Sequence, residues 1–198
     1  MNNYVYIIAS LPVISTKQKY SEDFDSGKIL ERIREQCSEK DRQTIDFLMD
    51  GFDDGKLGKE FYEKALSHRN GFLKEYFRFD LNLRNAKVHY LNQALDRPEG
   101  QDVMDIDGGI FEEAAKVKEV LHRQDILSRE RGLDDLTWEK ISGMTLFNYF
   151  DLTVILAFIA KLHIIDRWLK LDEKSGREMF RKLVDEVRGT FKGVEFNA

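Results

Sequence analysis

The scarcity of proline is the feature that most constrains the fold of this chain. Only two prolines, Pro12 and Pro98, occur in 198 residues, whereas an average usage of roughly 5% would give about ten. Proline removes a backbone donor and clashes with the preceding helical turn, so helix interiors exclude it. A loop-rich or many-turned β protein would contain more of it. The sequence therefore predicts a mainly all-α fold, a multi-helix bundle of long antiparallel helices.

Charge and cysteine content exclude several classes of protein. A single cysteine, Cys37, rules out an internal disulfide framework and a multi-cysteine metal site, and fits a reducing compartment. Cys37 shares a helical face with Ile29 and Ile33, which predicts that it is buried. The net charge is −5, and the basic residues are interspersed with acidic ones, which argues against a nucleic-acid partner.

Targeting and membrane segments are not expected either. The opening Met1-Asn2-Asn3-Tyr4 lacks the basic start of a signal peptide. The most apolar stretch, from Leu152 to Ala160, is far shorter than the roughly 20 residues that a membrane span needs. We therefore expect a cytoplasmic protein.

Local patterns predict where the helices begin and end. Residues 4–11 are β-branched and aromatic, and fit either a short N-terminal strand or the start of a buried helix. Ser26 and Ser38 are candidate N-caps for two helices. The predicted helices span 28–37, 38–49, 59–96 (with a kink at Asn70-Gly71), 110–131, 134–147, 150–171 (with Asp151 as its cap) and 173–189. Residues 1–198 form a single helical domain in this prediction, with the glycine-containing segment 97–109 as a candidate internal boundary.

No motif in the sequence specifies an enzyme, a cofactor or a metal site. The four histidines are far apart, and none has a partner at metal-ligand spacing. The Gly55-Lys56 pair lacks the remainder of a phosphate-binding loop. The acidic segment 102–108 fails the calcium-loop pattern, because positions that should hold ligand oxygens are Val103 and Ala114. We expect no catalytic residue and no cofactor.

A polar helix face in the middle of the chain is the first candidate for a binding surface. Asn82, Asn85, His89 and Asn92 recur at helical spacing, and Asp80 and Arg84 are four residues apart and can pair. Asparagine is a mediocre helix former, so a merely solvated face would favour Glu and Lys. Two interpretations stay open: these side chains bind neighbouring parts of the domain, or they form a docking surface for a protein partner.

The apolar segment 150–171 is the second candidate. Its first turns are apolar nearly all round, which indicates a central core helix. Arg167 and Trp168 near its end fit either the core or an interface anchor.

Three stretches carry a resemblance to known proteins. Tyr4–Pro12, the segment from Asp80 to Leu91, and the segment from Ile155 to Val184 are similar to an uncharacterised bacterial family typically encoded among the subunits of V-type (A/V-type) ATPases. In the central stretch, Asp80, Asn85 and Lys87 approximate the polar positions of the D-x-x-N-I-K-T helix found in the C-type subunits of rotary ATPases, called d in eukaryotes. The chain is much shorter than the C-type subunits and lacks their N-A-R-V-R opening.

The resemblance implies an all-helical, non-catalytic accessory or stalk subunit. Such a protein would couple ATP hydrolysis to proton or sodium transport by docking on other V-type ATPase subunits, in the central stalk or on the membrane rotor ring. It would be cytoplasmic and would reach the membrane only indirectly, through the complex. The alternatives are a stand-alone helical adaptor that binds an unrelated protein, and an enzyme whose acid and base carboxylates lie in a pocket.

Overall fold

A computed structural model describes residues 4–21 and 23–170 of the chain. Within this part every regular element is a helix, which confirms the all-α prediction. The helices are α1 Tyr4–Ser10, α2 Ser26–Gln36, α3 Glu39–Asp50, α4 Lys59–Leu66, α5 Gly71–Ala94, α6 Ala114–Leu121, α7 Ile126–Met144 and α8 Leu152–Lys170. The helix predicted over 173–189 lies outside the described residues.

The described part of the chain opens with a helix. Residues Tyr4–Ser10 form α1, so the strand alternative is wrong and the segment is helical, although Val5 and Tyr6 are exposed and the helix is not the buried one expected. Ile7 is its buried residue, and α1 packs against α8. A short helix with one apolar face and a buried strand can have the same short run of apolar residues. The sequence pattern therefore does not distinguish the two.

The helix starts follow local capping chemistry. The side chain of Ser38 accepts the backbone N–H of Asp41 at 3.3 Å, as predicted. Asp151 likewise accepts the N–H of Val154 at 3.3 Å. The prediction of Ser26 as a cap is wrong, because the side chain of Asp25 accepts the N–H of Lys28 instead.

Two other boundaries differ from the sequence prediction. The helix predicted over 59–96 is two helices, because the Asn70 side chain accepts the N–H of Leu73 and starts a new helix there. The break expected between 131 and 134 lies instead before Ile126, where Asp125 caps α7. Gly132 therefore lies inside a helix, at a close contact with Val120 and Arg123.

The helix α8 is the centre of the fold, as its apolar sequence predicted. It contacts α1, α2, α3, α5 and α7, and its buried residues extend over most of its length. None of the described helices is long and apolar enough to cross a membrane. A second, smaller cluster of Val117, Val120, Leu121 and Leu133 joins α6 to α7, and side chains of α5 pack against it.

Contacts along the helices give their relative directions. Asp134 meets Arg167 and Trp138 meets Lys161, so α7 and α8 run antiparallel. Lys87 on α5 pairs with Glu130 on α7 at 3.0 Å. The loop between α7 and α8 therefore lies at one end of this antiparallel pair.

Candidate functional site

The asparagines of the predicted polar face hold a neighbouring loop. The Asn85 amide donates to the carbonyl of Met104 and its oxygen accepts the N–H of the same residue, both at 3.0 Å. Asn82 donates to the carbonyl of Gly108 at 3.1 Å. Asn92, which is buried, donates to two carbonyls of the same loop, those of Glu99 and Gln101. The interpretation that these side chains bind within the domain is confirmed for the three asparagines.

The pairing predicted for Asp80 and Arg84 is also present. Arg84 Nε donates to Asp80 at 2.9 Å, and the hydroxyl of Tyr62 donates to the same carboxylate oxygen. Burial, together with the neighbouring Asp80 charge, raises the pKa of Tyr62, so its phenol remains a neutral donor. A second contact joins Arg84 to Asp54 at 3.3 Å. This network ties α4 to α5.

His89 differs from the rest of the predicted α5 set. It is exposed, whereas Asp80, Asn82, Arg84 and Asn85 are half-buried and Asn92 is buried. It lines a groove between α5 and α6. Of the six residues predicted on this face, His89 is the one that the described fold leaves most accessible to a partner.

Arg167 and Trp168 converge on one buried carboxylate. Both donate to the same oxygen of Asp134. The guanidinium of Arg131 lies over the Trp168 ring at 4.4 Å from its centroid. Burial raises the pKa of Asp134 against the opposing influence of Arg167 and Trp168. These contacts fix α8 against α7, and the interface role of Arg167 and Trp168 stays a prediction.

A surface that the sequence prediction missed lies between α7 and α8. Four large apolar side chains project from this connection: Leu146 at 65% exposed, Phe147 at 86%, Tyr149 at 70% and Phe150 at 58%. We call these four residues the aromatic loop. The predicted helices 134–147 and 150–171 extended into it and obscured it. The available signal was four large apolar residues within five positions, directly before the cap Asp151.

The polar residues of the same connection face the fold. Asn148 donates to the carboxylate of Asp151, whose other oxygen caps the first turn of α8. Thr145 donates to carbonyls of the last turn of α7. The polar groups are thus satisfied within the loop, and the apolar side chains are what it presents to the outside.

The histidine, cysteine and carboxylate side chains are dispersed in the described part of the chain. No group of three or more His, Cys, Asp or Glu side chains there could hold a metal ion. Its buried carboxylates are Asp41 and Asp134. Asp41 accepts from the hydroxyls of Tyr4 and Ser38 at 3.0 and 2.7 Å. These two carboxylates are separate and hydrogen-bonded, and the enzyme alternative stays a prediction.

Comparison with known proteins covers less than half of the chain. The sequence model of a family described as a protein of unknown function (DUF2764) matches residues 105–190. No curated protein and no solved structure matches the chain. The matched range includes α6, α7, α8, the aromatic loop, Arg167 and Trp168, and leaves out the polar face of α5.

Proposed function

We propose that this protein is a non-catalytic accessory or stalk subunit of a V-type ATPase, and that it docks on a neighbouring subunit through the aromatic loop. Its contribution is mechanical: a rigid helical body transmits torque or holds spacing while ATP is hydrolysed in another subunit. The observation that carries the docking proposal is the exposure of Leu146, Phe147, Tyr149 and Phe150 on one short connection.

Exposed side chains of this kind are the usual anchors of protein interfaces. Contiguous apolar patches on a protein surface mark interaction sites, whereas scattered single apolar residues need no explanation. Aromatic residues are enriched in interfaces, where they fill pockets of the partner. Here three aromatic rings and one leucine lie within five positions.

The fold presents the aromatic loop on a stable support. Both flanking helices are anchored in buried clusters, through Ile141 on α7 and Ile155 and Leu156 on α8. The cap at Asp151 fixes the start of α8. A loop so short between two packed helices loses little conformational entropy on binding, and such preorganisation favours affinity.

The polar face of α5 is a weaker docking surface than the sequence indicated. Its three asparagines already bind the backbone of the loop 97–109. Asp80 and Arg84 already bind each other. A partner would have to compete with these bonds, whereas the side chains of the aromatic loop gain burial without losing an existing contact.

The identity of the assembly rests on the sequence resemblance. The stretches that resemble the family encoded with V-type ATPase subunits lie on α1, α5 and α8 and in the segment that follows α8. The resemblance is the reason for proposing a V-type ATPase as the assembly. The aromatic loop is the proposed contact surface. The two parts of the proposal can fail separately, and the experiment distinguishes them.

Affinity capture of the tagged full-length chain from its native cell tests both parts. We expect the wild-type chain to retain V-type ATPase subunits. The double variant Phe147→Ser, Phe150→Ser should lose them while keeping its helical circular dichroism. Val13→Ser is the matched control, because Val13 is an equally exposed apolar residue away from the loop.

Each outcome is decisive for one part. Capture that yields no ATPase subunits contradicts the assembly, and a single unrelated partner would support the stand-alone adaptor instead. Retention of the ATPase subunits by the double variant contradicts the role of the aromatic loop and leaves the assembly standing.

A further inference from the structure

A second surface feature, unrelated to the aromatic loop, lies between α5 and α6. It is a groove of about 630 Å³, within the range of roughly 300–1,000 Å³ that small-molecule sites occupy. Tyr90 on α5, Phe111 before α6 and Leu121 on α6 give it an apolar lining. Tyr90 and Phe111 are both half-buried, and the Arg129 guanidinium lies over the Tyr90 ring at 5.5 Å from its centroid.

The walls of the groove are held in place before any ligand arrives. The hydroxyl of Tyr90 accepts from Arg129 at 2.9 Å, and the ring of His122 meets the Tyr90 ring edge-on with centroids 5.6 Å apart. Asn92 on α5 holds the loop segment that contributes Arg97 and Glu99. A preformed site of this kind is typical of small-ligand binding.

The charge of the groove is opposite to that of the chain. Arg97 and Lys118 line it together with His89 and His122, and Glu99 is the acidic residue among its lining. The chain as a whole carries −5. Arg97 is already paired with Asp102 at 2.6 Å, whereas Lys118 has no ion-pair partner within residues 4–21 and 23–170. A cationic lining beside aromatic rings favours an anionic ligand with a flat apolar body.

The ring of His122 is fixed beside Lys118. Its Nδ1 lies 2.7 Å from the carbonyl of Lys118, one turn earlier on α6. Nδ1 therefore carries a proton and donates to that carbonyl, and the ring is held with Nε2 at its other edge. The same turn of α6 thus places the Lys118 ammonium and the imidazole of His122 together on the groove.

We propose that this groove binds a small planar ring that carries an anionic group. The ring packs on Tyr90 and Phe111, and the anionic group faces the Lys118 ammonium. The site does not depend on the proposed ATPase role, and it is separate from the docking surface because its lining and the aromatic loop share no residue.

Titration of the ¹⁵N-labelled full-length chain with phenyl phosphate, followed by NMR, tests this site. We expect saturable shifts that cluster at the amides of α6 and the C-terminal half of α5, with a Kd of about 1 mM or tighter. Benzyl alcohol has the ring without the charge, and inorganic phosphate has the charge without the ring. Each should bind at least roughly five-fold more weakly than phenyl phosphate if both halves of the site contribute.

Substitutions on α6 separate the groove from general surface binding. Lys118→Gln should raise the Kd roughly three-fold or more, because it removes the unpaired cation. Lys116→Gln is the matched control: Lys116 is on the same helix, is paired with Glu139 at 3.4 Å and does not line the groove. Ala114→Phe places a ring in the groove from an exposed position and should abolish saturable binding.

Three results would overturn the proposal. They are shifts centred on the aromatic loop, equal binding of benzyl alcohol and phenyl phosphate, and equal Kd values for the Lys118→Gln and Lys116→Gln variants. If Ala114→Phe does not fold, the comparison of the two lysine variants decides alone.

Discussion

Asn85 and Met104 exchange two hydrogen bonds of 3.0 Å each, so that one side-chain amide satisfies both backbone groups of a residue in a long loop. A side-chain amide can donate and accept in this parallel way because its NH₂ and C=O groups lie side by side. Met104 also packs against the main hydrophobic cluster. This pair therefore fixes the middle of the segment 97–109, while Asn92 fixes its start and Asn82 its end.

Asn85→Ala should destabilise the fold by about 1–3 kcal/mol, because it leaves the backbone groups of Met104 without their partners. We expect faster amide hydrogen exchange at Met104 and its neighbours, measured by NMR. Asn82→Ala is the comparison, since it removes a single bond to Gly108, and its effect should be smaller. Unchanged exchange at Met104 in the Asn85→Ala variant would show that the pairing does not hold the loop.

The polar face of α5 shows how far sequence reasoning reaches. Helical spacing and the poor helix propensity of asparagine mark Asn82, Asn85 and Asn92 as unusual from the sequence alone. The sequence could not say what they bind, because a loop backbone and a partner protein offer the same donors and acceptors. The choice depends on where residues 97–109 lie in space, which no local pattern encodes.

Some helix ends could also be predicted from the sequence, and others could not. Ser38 and Asp151 could be predicted as caps because capping is chemistry within one turn. Gly132 was expected near a helix break and instead lies inside α7, where a Cβ atom would collide with Val120 and Arg123. The glycine is required there by close packing of α6 on α7. This requirement comes from the contact between two helices. In the sequence, a glycine needed for such a contact cannot be told from a glycine in a turn.

The carboxylate of Asp134 should be costly to leave without its partners. It is nearly buried and accepts from Arg167 and Trp168. Removing one partner of a buried pair costs about 3–5 kcal/mol when both groups are fully buried. Arg167 is 42% exposed, so we expect a smaller loss of about 1–3 kcal/mol for Arg167→Ala. Urea unfolding would measure it.

A matched pair on the surface provides the control for Asp134. Lys116 and Glu139 are 3.4 Å apart, with both side chains mostly exposed. Lys116→Ala should change the free energy of unfolding by less than about 0.5 kcal/mol. The double variant Asp134→Asn, Arg167→Ala should lose less free energy of unfolding than the sum of the two single variants. Once one charged group is gone, removing the other no longer leaves a charge without its partner. Strict additivity would mean that the two groups do not interact.

Acidification should weaken the fold through His163. Its ring stacks on Phe52 with centroids 4.0 Å apart, and burial lowers its pKa from 6.5 to about 4, with Arg167 adding to the effect. Between these two values the unfolded chain binds the proton that the folded chain excludes. The free energy of unfolding therefore falls as the pH falls from about 6.5 to about 4, by about 2–3 kcal/mol from this group.

Comparison of two histidine variants isolates that contribution. His163→Phe keeps the stacking on Phe52 and removes the titrating group, so its stability should fall less steeply over the same pH range. His89→Gln, at an exposed histidine, should keep the wild-type dependence. Apart from Asp166, whose pKa His163 helps to lower, the carboxylates contribute alike to all three chains. Parallel pH profiles for wild type and His163→Phe would contradict the assignment.

Gly51 should tolerate no side chain, although its backbone would accept one. It ends α3 with φ of −72°, which any residue adopts, but an added Cβ would come closer than 3.0 Å to ring atoms of Phe77. Phe77 is fully buried, with Phe47 and Phe61 against it edge-on. Overpacking of such a site typically costs about 1–3 kcal/mol, so Gly51→Ala should lower the thermal midpoint clearly.

Gly143→Ala is the opposite case and completes the test. An added Cβ at Gly143, in the last turn of α7, meets nothing within 4 Å, and alanine should stabilise the helix by about 0.5–1 kcal/mol. Adding Phe77→Leu to Gly51→Ala should recover part of the loss, because a smaller side chain relieves the collision. Equal thermal midpoints for Gly51→Ala and Gly143→Ala would show that the close approach of Phe77 to the end of α3 does not constrain this position.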